Sequence, residues 1–310
     1  MEIPVTTRLP NDRKANLIGS LWMVAAMAVF ASEDAFIKAA SVMLPVGQIL
    51  VIFGMGGALI FAGLARLNAQ PLFVKDVVSR PMRFRILFEI VGRLFYVLAI
   101  AVIPLSAATV ILQATPLVVV AGAALVFGEK VGWRRWTAII IGLIGVIIII
   151  RPGTDSFSML SVLAVIGMIG FAGRDLASRA APATLSTWLL GLYGFIAVVI
   201  AGVAYSIWQG QAYVRPSVEI SLYLLLSVLA GVGAYSCLMK AMRTGDVSAV
   251  TPFRYTRLLF GIAFGVALFG EELSIPMLAG SGLIVISGLF ILWRGKAIEA
   301  PPPHDAALLK

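Results

Sequence analysis

This sequence is poor in charge and almost without cysteine or histidine. Of its 310 residues, 13% are charged, against roughly 25% in a soluble domain. The single cysteine, Cys237, stands inside an apolar run, which excludes a disulfide framework and a paired thiol redox centre. The single histidine, His304, falls close to the C-terminal end. No serine–histidine dyad, histidine-ligated metal site or intramembrane histidine relay can therefore be built, and neither a metal nor another cofactor is expected. The first 16 residues are polar and lead straight into a full-length apolar run, which is not the pattern of a cleaved signal peptide.

What fills the chain instead is apolar. Hydrophobic residues make up 60% and the mean hydropathy is +1.01. Ten runs have the length and composition of membrane spans: 17–38, 45–65, 85–103, 105–127, 136–151, 160–178, 184–206, 219–240, 247–269 and 275–293. A very apolar soluble protein would still need polar faces at helical spacing on its outer helices. TAIIIGLIGVIIII, residues 137–150, has none. The expected class is an all-α integral membrane protein of ten transmembrane helices.

A net charge of +9 would suggest nucleic acid in a soluble chain. Here the placement of the charge decides. With the N-terminus in the cytoplasm, Lys38, Arg151 and Arg215 fall outside. Arg93, Arg174, Arg254 and Arg257 lie within spans, and the other basic residues, Arg85 among them, fall inside. That asymmetry follows the positive-inside rule and puts both termini in the cytoplasm. The basic excess is a topology signal, and the expected partners are a lipid bilayer and a small-molecule substrate, not nucleic acid.

One stretch occurs twice. FASEDAFIKAA from Phe30 matches FAGRDLASRAA from Phe171 at an offset of about 141 residues, and SAATVILQATPL from Ser106 matches SAVTPFRYTRLL from Ser248 at about 142. Each second stretch runs on to an FGE, Phe127–Glu129 and Phe269–Glu271. A repeat of this length is an architectural signal. It divides the chain into a lead (1–16), a first copy (17–151), a second copy (159–296) and a short tail (297–310), with RPGTDSFS from Arg151 as the outer linker. Arg66 to Arg85 is the longest loop of the first copy, basic and cytoplasmic. Five spans per copy is odd, so the second copy enters the membrane inverted. Two inverted halves around a central cavity are the architecture of alternating-access carriers.

The two copies, each ending in GE followed by a Gly-rich last span (Gly142 and Gly145; Gly280, Gly282 and Gly288), resemble the EamA-type branch of the drug/metabolite transporter superfamily. Pro252 to Glu272 is a particularly close match to second-half sequences of that group. The resemblance covers about residues 17–295. It implies a ten-helix carrier of the bacterial inner membrane, often an exporter of amino acids or related metabolites, with the YddG-type exporters nearest. A monomer or a homodimer is expected.

Charges inside spans cost roughly 2.5–3.5 kcal/mol each on insertion scales, so each calls for a reason. Asp34–Lys38, Glu89–Arg93 and Asp175–Arg179 are acid–base pairs four residues apart, on one helix face. They are either self-satisfied pairs along polar seams or, for Asp34–Lys38 and Asp175–Arg179 at repeat-equivalent positions, two gates at opposite mouths. Glu33 and Arg174 are also equivalent but opposite in charge. In span 9, a rise of about 1.5 Å per residue puts Arg257 near the midplane and Arg254 a turn shallower. Pro252 loosens the ladder before them. Their counter-charge is Glu89 of span 3, in a structural bridge, or a substrate carboxylate, which a guanidinium fits with paired donors. Gln113, Thr115 and Pro116 offer neutral groups at a similar depth, while Tyr255 and Tyr96 are candidates for an aromatic pocket with Phe36, Trp188, Tyr193 and Tyr235. The reading is a secondary carrier exporting an amino acid. Its rivals are a carrier of a larger anionic or planar metabolite, such as a vitamin or nucleoside derivative, and a membrane scaffold. An enzyme is not expected.

Overall fold

A computed structural model describes residues 10–128, 131–150, 159–182, 184–244 and 247–299. The expected linker, the outermost ends of the chain and Glu129 lie outside these residues. Among the described residues every regular element is helical: α1 (Pro10–Ser41), α2 (Val46–Leu67), α3 (Arg80–Val102), α4 (Leu105–Leu112), α5 (Thr115–Phe127), α6 (Trp133–Ile150), α7 (Ser161–Arg179), α8 (Thr187–Gln209), α9 (Val218–Thr244), α10 (Val247–Val250), α11 (Thr256–Phe269) and α12 (Ile275–Glu299). Two 3-10 turns, Lys75–Val78 and Thr251–Tyr255, complete them.

Among the described residues eight segments are long and apolar enough to cross a membrane: α1, α2, the α4–α5 pair, α6, α7, α8, α9 and α12. The other two expected spans are present as helix, one too charged and the other too short. Helix α3 carries Arg80, Arg83, Arg85, Glu89 and Arg93, and the ninth segment is broken into α10, a 3-10 turn and α11. Arg80 to Arg85, expected in a loop, thus form the first turns of α3.

Span 4, read as one run, is interrupted at Gln113 and Ala114. Pro116 causes this, because its ring has no N–H and clashes with the carbonyl four residues back, that of Leu112. The freed Leu112 carbonyl accepts from Thr115 Oγ1 at 2.5 Å. The ninth segment is broken at Pro252 in its 3-10 turn, where Thr256 Oγ1 likewise donates to a carbonyl three residues back, that of Phe253, at 2.7 Å. Helices α5 and α11 both end on a left-handed glycine, Gly128 (φ +67°) and Gly270 (φ +62°), which are repeat equivalents.

The exterior and interior are exchanged relative to a soluble protein. Leu59, Ile147, Leu229 and Ile286 lie exposed, while Glu33, Asp34, Arg85 and Glu89 are buried. That distribution suits a lipid surround, where polar groups must find partners inside the protein. The repeat maps α1, α2, α3, α4–α5 and α6 onto α7, α8, α9, α10–α11 and α12. Under that exchange the helix pairs map onto one another: α1 with α9 onto α7 with α3, while α2 with α8 and α6 with α12 map onto themselves.

Candidate functional site

Polar side chains on α3 recur at Arg85, Glu89, Arg93 and Tyr96, a four-, four- and three-residue spacing that draws one stripe along the helix. The lower part of the stripe turns to α7 and the upper part to α1. Arg85 Nε donates to Ser178 Oγ at 3.0 Å, and Glu89 Oε1 lies 3.5 Å from Arg174 Nη1. Arg93 Nη1 meets Glu33 Oε1 at 2.6 Å, and Tyr96 OH donates to Asp34 Oδ2 at 3.0 Å. The approach that permits this is glycine on glycine. A Cβ added to Gly170 would fall 2.4 Å from the Gly92 nitrogen, so α3 and α7 touch backbone to backbone.

The broken ninth segment supplies the remaining charges, and its two arginines diverge. Arg257 Nη2 lies 2.6 Å from Asp34 Oδ2, and Arg254 Nη2 lies 4.0 Å from Asp175 Oδ2. Two centres result. The Asp34 centre joins Glu33 and Asp34 of α1, Arg93 and Tyr96 of α3 and Arg257 of α11. It is charge-balanced and closed, with the Asp34 and Glu33 side chains 1% and 0% exposed. The Asp175 centre joins Arg174 and Asp175 of α7, Arg85 and Glu89 of α3 and Arg254. It is open, with Arg254 36% and Asp175 26% exposed. At the junction of the two broken segments, Gln113 Nε2 donates to the Arg254 carbonyl at 3.1 Å. Gln113 is the repeat equivalent of Tyr255, so the segments meet break to break.

These contacts revise three expected pairings. Asp34 binds Arg257 and Tyr96, while Lys38 donates to the carbonyls of Ile100 and Ile103 at 2.9 and 2.7 Å and lies 3.9 Å from Glu271. Glu89 and Arg93, four apart, turn to different helices. Asp175 takes Arg174, at 2.8 Å, and Arg254, while the Arg179 guanidinium sits over the Phe127 ring at 5.9 Å. The reason is common to Asp34 and Glu89, whereas Asp175 has one partner on its own helix, Arg174, and one across, Arg254. A partner across a helix interface neutralises a charge while tying two helices together, which an intrahelical pair does not. Glu89 is also not the counter-charge of the ninth segment, since Arg174 has taken it.

Two residues of the network went unread in the sequence. Glu271 accepts from the backbone N–H groups of Leu105 (2.5 Å) and Ser106 (2.9 Å) and from Ser106 Oγ (2.6 Å). It thereby caps α4, where donors are unsatisfied and the helix dipole favours an anion. Arg85 was hidden by its assignment to a loop. Its spacing of four from Glu89 is the signal that finds it.

Tyr255 is buried under α12, so close that a Cβ on Gly288 would meet its hydroxyl oxygen. An aromatic cluster reaches the Asp175 centre through Tyr235 instead. Tyr235 lies within the field of Arg85, Arg174 and Glu89. Its ring meets Phe61 edge-on at 5.4 Å, and Phe61 lies 6.4 Å from Trp188.

The chain is similar to proteins of known kind along most of its length. It is 26% identical to a riboflavin transporter of Rhizobium johnstonii, over 96% of this chain and 98% of that one. It is 25% identical to an S-adenosylmethionine uptake transporter of Rickettsia prowazekii, over 66% of this chain and 69% of that one. A solved crystal structure shares the fold with a TM-score of 0.59, at 16% identity over 93% of this chain and 99% of its own. The model of the EamA-like transporter family matches residues 17–151 and again 159–293, one match for each copy of the repeat. With its bundle of apolar helices held on two ion-paired centres, this chain belongs to the EamA-like transporter family.

Proposed function

We propose that this transporter is a secondary carrier for a flat-ringed metabolite of the size of a vitamin or nucleoside derivative. The observation that carries the reading is half-buried Tyr235 beside the open Asp175 centre, with buried Phe61 packed between it and half-buried Trp188. An apolar face with a few convergent polar groups is what a ligand of that shape needs. The names of the relatives, riboflavin and S-adenosylmethionine transporters, agree in substrate shape, since both molecules carry a planar heteroaromatic ring system.

The carrier works by alternating access in the bacterial inner membrane, as a monomer or homodimer. Its ten spans form two inverted five-helix copies with both termini cytoplasmic. In this reading the Asp34 and Asp175 centres are the gates, with Arg257 and Arg254 as the arginines that each gate gains and loses. Lys38 and Arg179 border them, and Lys38 closes the Asp34 side through Glu271.

Export of an amino acid, in the manner of the YddG-type exporters, is the second reading. Arg254 favours it, because a half-exposed guanidinium 4.0 Å from its acid is free to turn to an α-carboxylate. Gln113 would then assist from the break.

Counterflow in proteoliposomes decides between them, using labelled riboflavin, S-adenosylmethionine and a panel of amino acids with the native chain, Arg254→Ala and Arg257→Ala. Counterflow of a ringed solute, lost in Arg254→Ala, supports the first reading. Counterflow confined to amino acids establishes the second. No movement of any of these solutes would overturn both readings and leave a substrate of another class.

A further inference from the structure

The two centres differ by one charge. At the Asp34 centre two carboxylates, Glu33 and Asp34, face two guanidinium groups, Arg93 and Arg257. At the Asp175 centre the described side chains joined to one another are Glu89 and Asp175 against Arg85, Arg174 and Arg254. One positive charge is in surplus. It resides at Arg85, which is 5% exposed and whose Nη1 is buried without a hydrogen-bond partner. The guanidinium is held in place by its Nε bond to Ser178. It faces Gly194 of α8, where a Cβ would stand 3.8 Å from Nη1 and Nη2 and 3.9 Å from Glu89 Oε2.

A buried donor without an acceptor is costly, and a buried charge without a counter-charge more so. A ligand that brings one negative charge satisfies both deficits, whereas a neutral acceptor answers only the donor and leaves the charge, and a cation adds to the surplus. We infer that the Asp175 centre is a binding site for a single anionic group, a carboxylate or phosphate ester carried by the planar substrate, and that Arg85 is the residue that selects it. This rests on the flat-ring reading proposed above for the shape of the ligand, and on the charge count for its sign. The Asp34 centre also has unpartnered donors, Arg93 Nε and Arg257 Nε, but its two carboxylates, each with an unpartnered oxygen, already balance them in charge, so it takes no such group.

The test is binding to the full chain in lipid nanodiscs, read by thermal unfolding and Trp fluorescence. Two matched probe pairs differ in charge but not in ring: nicotinate with nicotinamide, and flavin mononucleotide with riboflavin. The native protein should bind nicotinate about tenfold or more tightly than nicotinamide, as expected for a hydrogen bond to a charged group. Arg85→Gln should make the two equal. Glu89→Gln, which adds one to the surplus, should widen the ratio and favour flavin mononucleotide further. If Arg85→Gln does not fold, Glu89→Gln decides alone. A native protein that does not discriminate, a ratio unchanged in either variant, or no binding of any probe overturns the inference. Discrimination within the small pair with no binding of either flavin removes the proposed size class and leaves the charge rule standing. Equal binding of both flavins does the reverse.

Discussion

Arg257 reaches Asp34 at 2.6 Å, while Arg254, three residues earlier, reaches Asp175 at 4.0 Å, the residue that takes the place of Asp34 in the second copy. One broken segment thus holds an arginine against each of two equivalent aspartates. The bonds are unequal. The shorter is buried and reinforced by Tyr96, and the longer is open. A rotation of the segment about its break, where Pro252 and Thr251–Tyr255 already depart from α-helix, would exchange which bond is tight.

Asp34→Asn should destabilise the protein by about 3–5 kcal/mol, because it leaves the Arg257 guanidinium buried without its counter-charge. Asp34→Asn/Arg257→Gln should recover much of that loss in thermal unfolding. If Asp34 is a gate, as proposed, both variants should lose transport. Transport at the native rate in Asp34→Asn and Asp175→Asn would remove the two aspartates from gating.

Glu271→Ala should cost about 1–2 kcal/mol, the range of a lost helix cap. It orphans the N–H groups of Leu105 and Ser106 and strips Lys38 of its acid. Hydrogen exchange should rise at the first turn of α4 before anywhere else in that helix. Unchanged protection of that turn would show that Glu271 is not its cap.

Gly170→Ala should be far more damaging than an alanine substitution at Gly282, where a Cβ meets open space. At Gly170 the obstacle is the backbone of Gly92, which cannot turn aside, so α3 and α7 must separate and overpacking of about 1–3 kcal/mol or more is expected. Glu89 and Arg174, already 3.5 Å apart, are then drawn out of contact. Melting temperatures of the two variants check this.

Gln113→Leu keeps the volume but removes the donor to the Arg254 carbonyl. A stability loss of about 1 kcal/mol is expected, with a larger relative effect on transport rate, because the bond joins the two breaks. A rate that falls no more than stability predicts would make Gln113 a packing residue.

Much of this arrangement is legible in the sequence. The repeat pairs Asp34 with Asp175, and the arginines of span 9 stand out by depth. Pro252 and Pro116 mark where segments break. Partner choice is where the reading stops. An acid and a base four apart look the same whether they bind each other or reach to neighbouring helices, and only the packing of α3 between α1 and α7 decides. Arg85 was misplaced for a related reason: basic residues cluster at span ends, so a charge five residues into a helix reads as loop. Glu271 follows a left-handed glycine and reads as a turn residue. Its acceptors are spent on α4, 165 and 166 residues earlier in the chain.

The stripe on α3 also sets an order for how the protein is made. Arg93 and Tyr96 find Glu33 and Asp34 on α1, which precedes them, but Arg85 and Glu89 wait for Ser178 and Arg174, which leave the ribosome some 85 to 93 residues later. Until α7 arrives, the lower part of α3 is too charged to settle in lipid alone. A nascent chain stopped after α6 should therefore hold α3 loosely, open to a water-borne thiol reagent at a cysteine placed at Leu87 or Phe88. One extended beyond α7 should shield the same position. The second copy completes the membrane insertion of the first.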